Sequence, residues 1–149
     1  MGRHLRIESG AHIGHWVADR LGSRFEETDV AIGLVGPQGI QAGVIYENYN
    51  GSSVVTHIAV TGPMTRPYVS AIFDYPFRVC RVKKIIAPVA AANTLCARLV
   101  KHMGFIPEAV LKDCHPEGDL ILFTLSQADC RFLKGRYVGK ENPHPAACA

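Results

Sequence analysis

The stretch KKIIAPVAAANTLCARLVKHMGF, Lys83 to Phe105, contains a strand, a helix start, a helix and its stop in immediate succession. Lys84 to Val89 is an apolar, β-branched run that predicts a strand. Asn93 carries the short acceptor side chain of an N-cap, and Gly104 permits the left-handed backbone that ends a helix. Between them Leu95, Cys96, Leu99, Val100 and Met103 recur at helical spacing and predict one buried face.

Working upstream, Val54 to Val60 predicts a central strand interrupted by His57 and Ala59. A second helix is predicted to start near Arg66, because Val69, Ile72, Phe73, Pro76, Phe77 and Cys80 form a helical stripe. Pro67 suits its first turn, whereas Pro76 sits inside it and predicts a bend or an end around Asp74 to Phe77. Ile13 to Leu21 is amphipathic, and Ala31–Val35 and Ala42–Tyr46 flank the turn Gly36-Pro37-Gln38-Gly39 as a hairpin. Tyr49 to Ser52 marks another turn.

Downstream, Pro107–Lys112 and Leu120–Leu125 predict a closing antiparallel pair with Asp113 to Gly118 between them. The order predicts one α/β domain over residues 1–133, a sandwich with helices covering a mixed, mostly antiparallel central sheet. Residues 134–149 read as a basic peripheral tail. A Gly-x-Gly-x-x-Gly turn after the first strand is missing, as is a nucleotide-triphosphate loop, which argues against dinucleotide and P-loop folds.

With 149 residues, 48% of them apolar, the chain can bury one core, and its net charge of +3 is too mild to imply a nucleic-acid partner. Arg78, Arg81, Lys83 and Lys84 form its best basic cluster, without interleaved aromatic platforms. No long apolar segment follows Met1, so neither a secretory signal nor a membrane span is predicted, and the expected location is the cytoplasm. Five widely spaced cysteines predict reduced, mostly buried thiols. Cys114-His115, Cys130 and His144 lack zinc spacing, and His12 and His15 lack the companions of a helical hydrolase motif, so no metal site is predicted.

Lys83 to Phe105, with Asn93, Gly104 and Phe105 at the telling positions, resembles the GCN5-related N-acetyltransferase superfamily. It is similar in particular to the branch of ribosomal-protein alanine acetyltransferases. The ending EGDLILFTLSQADCRFL looks like that of small bacterial and phage-associated members. The resemblance implies an acyl-CoA N-acyltransferase-like fold in which acetyl-CoA enters between two splayed central strands and its pyrophosphate rests at the start of the next helix. An N-terminus of this kind suits anions, because its amides lack helical partners and its dipole is positive.

That helix start is Arg66-Pro67-Tyr68-Val69-Ser70-Ala71, which keeps the family's Arg66 and Ala71 but has Val69 where the first glycine is usual. These six residues, with Ile58, Ala59 and Val60 on the strand and Asn93, Cys96 and Arg98 on the second helix, are the expected cofactor-facing set. The implied reaction moves an acetyl group to a primary amine of a small molecule or a protein N-terminus. His57 is the first candidate base and Glu47 the second, with Tyr46 and Tyr49 lining an acceptor pocket and the Val60 amide polarising the thioester. Asp113, Glu117 and Asp119 are further charges able to attract an ammonium group.

The tyrosine that many such enzymes use as general acid would fall at Val100, leaving Tyr68 as a spatial substitute. Cys96 reads as a nucleophile or, more simply, as packing on the apolar helix face. Two other functions fit the same residues: a catalytically inactive coenzyme A-binding module, and a phage-associated interaction module. A homodimer is compatible with either.

Overall fold

The computed structural model describes residues 4–133. Seven strands form one sheet: β1 (Arg6–Ser9), β2 (Val30–Gly36), β3 (Gly39–Glu47), β4 (Ser53–Val60), β5 (Lys84–Ala90), β6 (Ile106–His115) and β7 (Gly118–Ser126). Their order across the sheet is β1-β2-β3-β4-β5-β7-β6, and all neighbours are antiparallel except β4 and β5. The helices are α1 (Ala11–Leu21), α2 (Arg66–Asp74) and α3 (Thr94–His102). This is the predicted mixed α/β sandwich.

The two sheet faces carry separate cores. On one, Ile13, Val17 and Ala18 of α1 pack on Ala31, Ile45 and Ala59. On the other, Ile72 and Phe73 of α2 and Val100 and Met103 of α3 pack on Ile32, Val44, Val54 and Ile85. Gly33 and Gly43 are paired beneath α1, where a Cβ would come within 2.5 Å of Ile13 and 2.6 Å of Val17. The missing side chains are what let the helix approach the sheet.

Pro76 explains the end of α2. A continuing helix would direct the amide of residue 76 to the Ile72 carbonyl, but proline has no such hydrogen. Tyr46 supplies the donor instead, with its buried hydroxyl 2.5 Å from the Ile72 oxygen. The chain widens into a π-type turn over Tyr75–Val79, and the Cys80 amide donates to the Tyr75 carbonyl at 2.9 Å. Of the expected bend or end, it is the end that occurs, at Asp74, and its cost is offset from the sheet.

Asn93 caps α3 as predicted, accepting from the Cys96 amide at 3.1 Å, and Gly104 has φ +105°. Several expectations need correction. Leu95 is 73% exposed, so Val100 and Met103 carry the buried face of α3. The connection predicted at Asp113–Gly118 is largely strand, since β6 runs to His115 and β7 starts at Gly118. Strand β1 was not predicted: four residues are too short for a period-two pattern to stand out. Cys96, Cys114 and Cys130 are free thiols, with Cys114 exposed, whereas Cys80 is disulfide-bonded, against the expectation of reduced thiols. The predicted tail, 134–149, lies outside the described residues.

Tyr46→Phe is expected to cost about 1–2 kcal/mol in urea unfolding, because it strands a buried carbonyl. In a Pro76→Ala background, where position 76 has its own amide hydrogen, that cost should shrink. An unchanged cost would show that Tyr46 does not compensate for the proline.

Candidate active site in the opened sheet

Strands β4 and β5 pair only from Ser53–Val55 to Lys84–Ile86. Beyond that point β4 remains fully paired to β3, and β5 to β7, yet the two strands part from each other. The side-chain bond from Thr56 Oγ1 to the Ile86 carbonyl, 3.3 Å, ties them at the fork. The sequence supplies a reason for the parting. Amides alternate sides along a strand, and those of Lys83's ladder partner Gln127 and of Ala91 bond across the β5–β7 seam. Even-numbered residues of β5 therefore turn toward β4, and the third of them, Pro88, has no amide hydrogen.

The same alternation orients β4. Thr61 donates to the Gln41 carbonyl at 2.9 Å, so odd positions bond β3, and the amides of Ile58 and Val60 point toward the gap. The gap is a cleft of about 420 Å³ lined on one arm by Thr56, His57 and Ile58 and on the other by Ala87 to Ala90. The N-cap Asn93 with Cys96 and Val100 of α3 line it from one face, Leu21 to Ser23 from the end of α1, and Cys114, His115 and Pro116 from the end of β6 and the turn into β7. The last two groups are cleft residues that sequence reasoning did not find. They come from distant connections whose positions depend on the sheet order.

His57 and Glu47, predicted as alternative bases, are brought together. Glu47 precedes the turn into β4 and stands one residue pair beyond Tyr46–Thr56, on the same sheet face as His57. Their side chains, 20% and 25% exposed, place His57 Nε2 at 2.8 Å from a Glu47 carboxylate oxygen. The carboxylate accepts the Nε2 proton, so the neutral ring keeps its lone pair on Nδ1. That arrangement can accept a proton in a fixed orientation.

A second acidic residue belongs to this face. Asp29, just before β2, has its carboxyl pushed up chiefly by burial, with the charge of Glu47 adding to the effect and the Glu26 amide, 2.9 Å away, opposing it. Asp29 also feels His57. It lines a second hollow of about 650 Å³ with His15, Phe25 and Glu27. The run Glu26-Glu27-Thr28-Asp29 was the available signal, but its position opposite Glu47 depends on the β2–β3 register.

The remaining predicted residues are divided. Ile58 lines the cleft, whereas Ala59 is 8% exposed and packs beneath α1. Arg66 and Pro67 are exposed at the start of α2. The Tyr68 amide donates to the N-cap Thr65 at 3.3 Å and the Val69 amide to the Thr65 carbonyl at 3.0 Å. Tyr68 is fully buried with its hydroxyl on the Ile32 carbonyl at 2.9 Å, which removes it as a substitute acid. Ser70 and Ala71 are also in the core, and Ser70 Oγ has no hydrogen-bond partner. The exposed backbone at this end is the connection Thr61–Thr65, held by Gln41 Nε2 on the Pro63 carbonyl at 2.8 Å. Cys96 is half-buried, and burial pushes its thiol up; Arg98 is exposed on α3.

Tyr46 and Tyr49 do not line the His57 face, since their hydroxyls are committed to Ile72 and Cys80. Asp119 accepts from the Asp113 amide at 3.1 Å and so braces β6 and β7. In the basic cluster, Arg78 pairs with Asp74 and Lys84 with Glu108. Among the described residues no group of three or more His, Cys, Asp or Glu is placed to hold a metal ion, and no helix is long and apolar enough to cross a membrane.

Neither a protein-family model nor a curated protein matches the sequence significantly. Solved structures do match in fold. The spermidine/spermine N-acetyltransferase SpeG from Vibrio cholerae, in mutant forms with glutamine in place of glutamate, superposes with a TM-score of 0.67 at 14% identity, covering 84% of this chain and 96% of its own. Another mutant of the same Vibrio cholerae enzyme, with a phenylalanine replaced by glycine, gives 0.66 at 16% identity over 89% and 96%. Its dodecameric structure in an intermediate state gives 0.62 at 15% identity over 85% and 94%. The chain thus has the acyl-CoA N-acyltransferase-like fold of GCN5-related acetyltransferases.

Proposed function

We propose that this protein is an N-acetyltransferase that moves an acetyl group from acetyl-CoA to a primary amine of a small molecule or a protein N-terminus. The observation that carries this reading is the fork between β4 and β5, with outward amides on Ile58 and Val60 and the His57–Glu47 pair at its throat. The cleft suits an extended thioester arm: it has about 420 Å³ and is bordered by the edges of β4 and β5 where they no longer pair. Ile58 and Val60 would hold the arm, and the Thr61–Thr65 connection with the first turn of α2 would receive the phosphates. When bound, acetyl-CoA supplies an activated acyl group.

The chain's own groups account for the rest. The Val60 amide is oriented to donate to a carbonyl oxygen in the cleft, where removal from water strengthens that bond. His57 Nδ1 takes a proton from the acceptor ammonium, directly or through water, while Glu47 fixes the ring. The acceptor approaches on the α1 face, where Asp29, Glu47 and Glu27 favour a cation. The SpeG neighbours act on spermidine and spermine, and the acidic face here supports a cationic amine as the first class to test.

The finer placement beside ribosomal-protein alanine acetyltransferases rests on the motifs around Asn93 and Gly104, and that beside phage-associated members on the ending Glu117 to Leu133. Edge strand β6, with Ile106 and Val110 exposed, is our candidate for a homodimer contact.

Intact-mass and thiol-release screening with acetyl-CoA against polyamines, small amines and peptide N-termini should give a mass gain on one acceptor matched by released thiol. His57→Ala should lower kcat/KM by about 10²–10⁴-fold without changing the unfolding midpoint, and Glu47→Gln should act in the same direction. Coenzyme A binding with no product on any acceptor would favour the inactive module. Ala90→Trp, which fills the cleft arm, should abolish coenzyme A binding in calorimetry while the fold persists; undiminished binding by that variant would move the site elsewhere.

A further inference from the structure

Breaking a thioester leaves negative charge on sulfur as well as on oxygen, and the Val60 amide addresses only the oxygen. The cleft therefore needs a second donor. Of its polar side chains, His57 is committed to Glu47 and Thr56 to the Ile86 carbonyl; Ser23, Asn93 and the Cys96 S–H are further donors, the last a weak one. Among the described residues no tyrosine hydroxyl lines the cleft. The β6–β7 turn brings in His115.

This turn fixes the chemistry of the ring. His115 pairs with Gly118 across the two-residue turn Pro116-Glu117, and the Glu117 amide donates to His115 Nδ1 at 3.1 Å. A ring that accepts at Nδ1 carries its proton on Nε2. The ring that makes this bond is the tautomer whose single N–H is on Nε2. That donor belongs to a residue that lines the cleft and is half-buried.

We propose that neutral His115 donates a hydrogen bond from Nε2–H to the thioester sulfur as it departs; this rests on the acetyltransferase reading above. The amine nitrogen forms its bond to the acyl carbon, the carbon–sulfur bond breaks, and its electron pair goes to sulfur. His115 keeps its proton throughout. Of the two protons the ammonium loses, one leaves through His57 and the other reaches the released thiolate through water.

Two variants separate this role from a structural one. His115→Asn keeps an acceptor for the Glu117 amide but withdraws the distal donor, whereas His115→Gln returns an N–H near the Nε2 position. Thiolate absorbance of bound coenzyme A, followed against pH, should show ionisation at lower pH in the parent than in His115→Asn, with His115→Gln between them. With acetyl-CoA, kcat should fall on the order of 10²-fold in His115→Asn and recover in part in His115→Gln. With an acetyl aryl thioester, whose thiolate departs readily, the deficit should largely vanish. Identical titrations in parent and His115→Asn overturn the proposal, as does an equal deficit with both thioesters. Should the parent acetylate nothing, the bound-thiol titration still decides the role of His115; should coenzyme A fail to bind, both readings fall.

Discussion

One absent hydrogen bond donor organises this molecule. The sheet is continuous from β1 to β4 and from β5 through β7 to β6, and the halves are joined by a short parallel seam. Pro88 stands on the side of β5 that would have extended that seam. A proline there cannot reward closure, so the strands diverge where their helices hold them, and two strand edges are left as walls of a cleft. Edges elsewhere in a protein invite unwanted pairing. Here the edge is recessed, and a ligand can take the place of a strand.

The divergence gives each sheet face its own task. One face, under α2 and α3, is apolar and closed by Tyr46, whose hydroxyl replaces the amide that Pro76 lacks. The other face carries His57 and Glu47 beside α1, with Asp29 across the register. On the proposed reading, an acyl donor threaded through the fork would meet proton-accepting groups on one side and the His115 turn at its rim. Backbone geometry thus does what side-chain motifs do in other sites.

Much of the fold was legible because its signals are local. Asn93 and Gly104 bracket α3 by cap chemistry, the Gly36–Gly39 turn sets the β2–β3 hairpin, and Pro76 announces the end of α2. The site was legible only in part. His57 and Glu47 were both named as alternative candidate bases, but their 2.8 Å contact depends on the β3–β4 register, which spacing does not disclose. Tyr68, Ser70 and Ala71 resembled a phosphate loop in sequence, while their helical phase turns them into the core. Leu21 to Ser23 and His115 reach the cleft through sheet order, and no local pattern marks them, while the acidic run before β2 hints at Asp29 without disclosing its place opposite Glu47.

Backbone hydrogen exchange at single-residue resolution, with and without coenzyme A, tests the central claim most directly. The amides of Ile58 and Val60 face the gap unpaired, so they should exchange quickly in the free protein and become protected on binding, while Ala59, already bonded to β3, should change little. Protection that leaves Ile58 and Val60 untouched, or that is confined to the hollow around Phe25, would contradict the account.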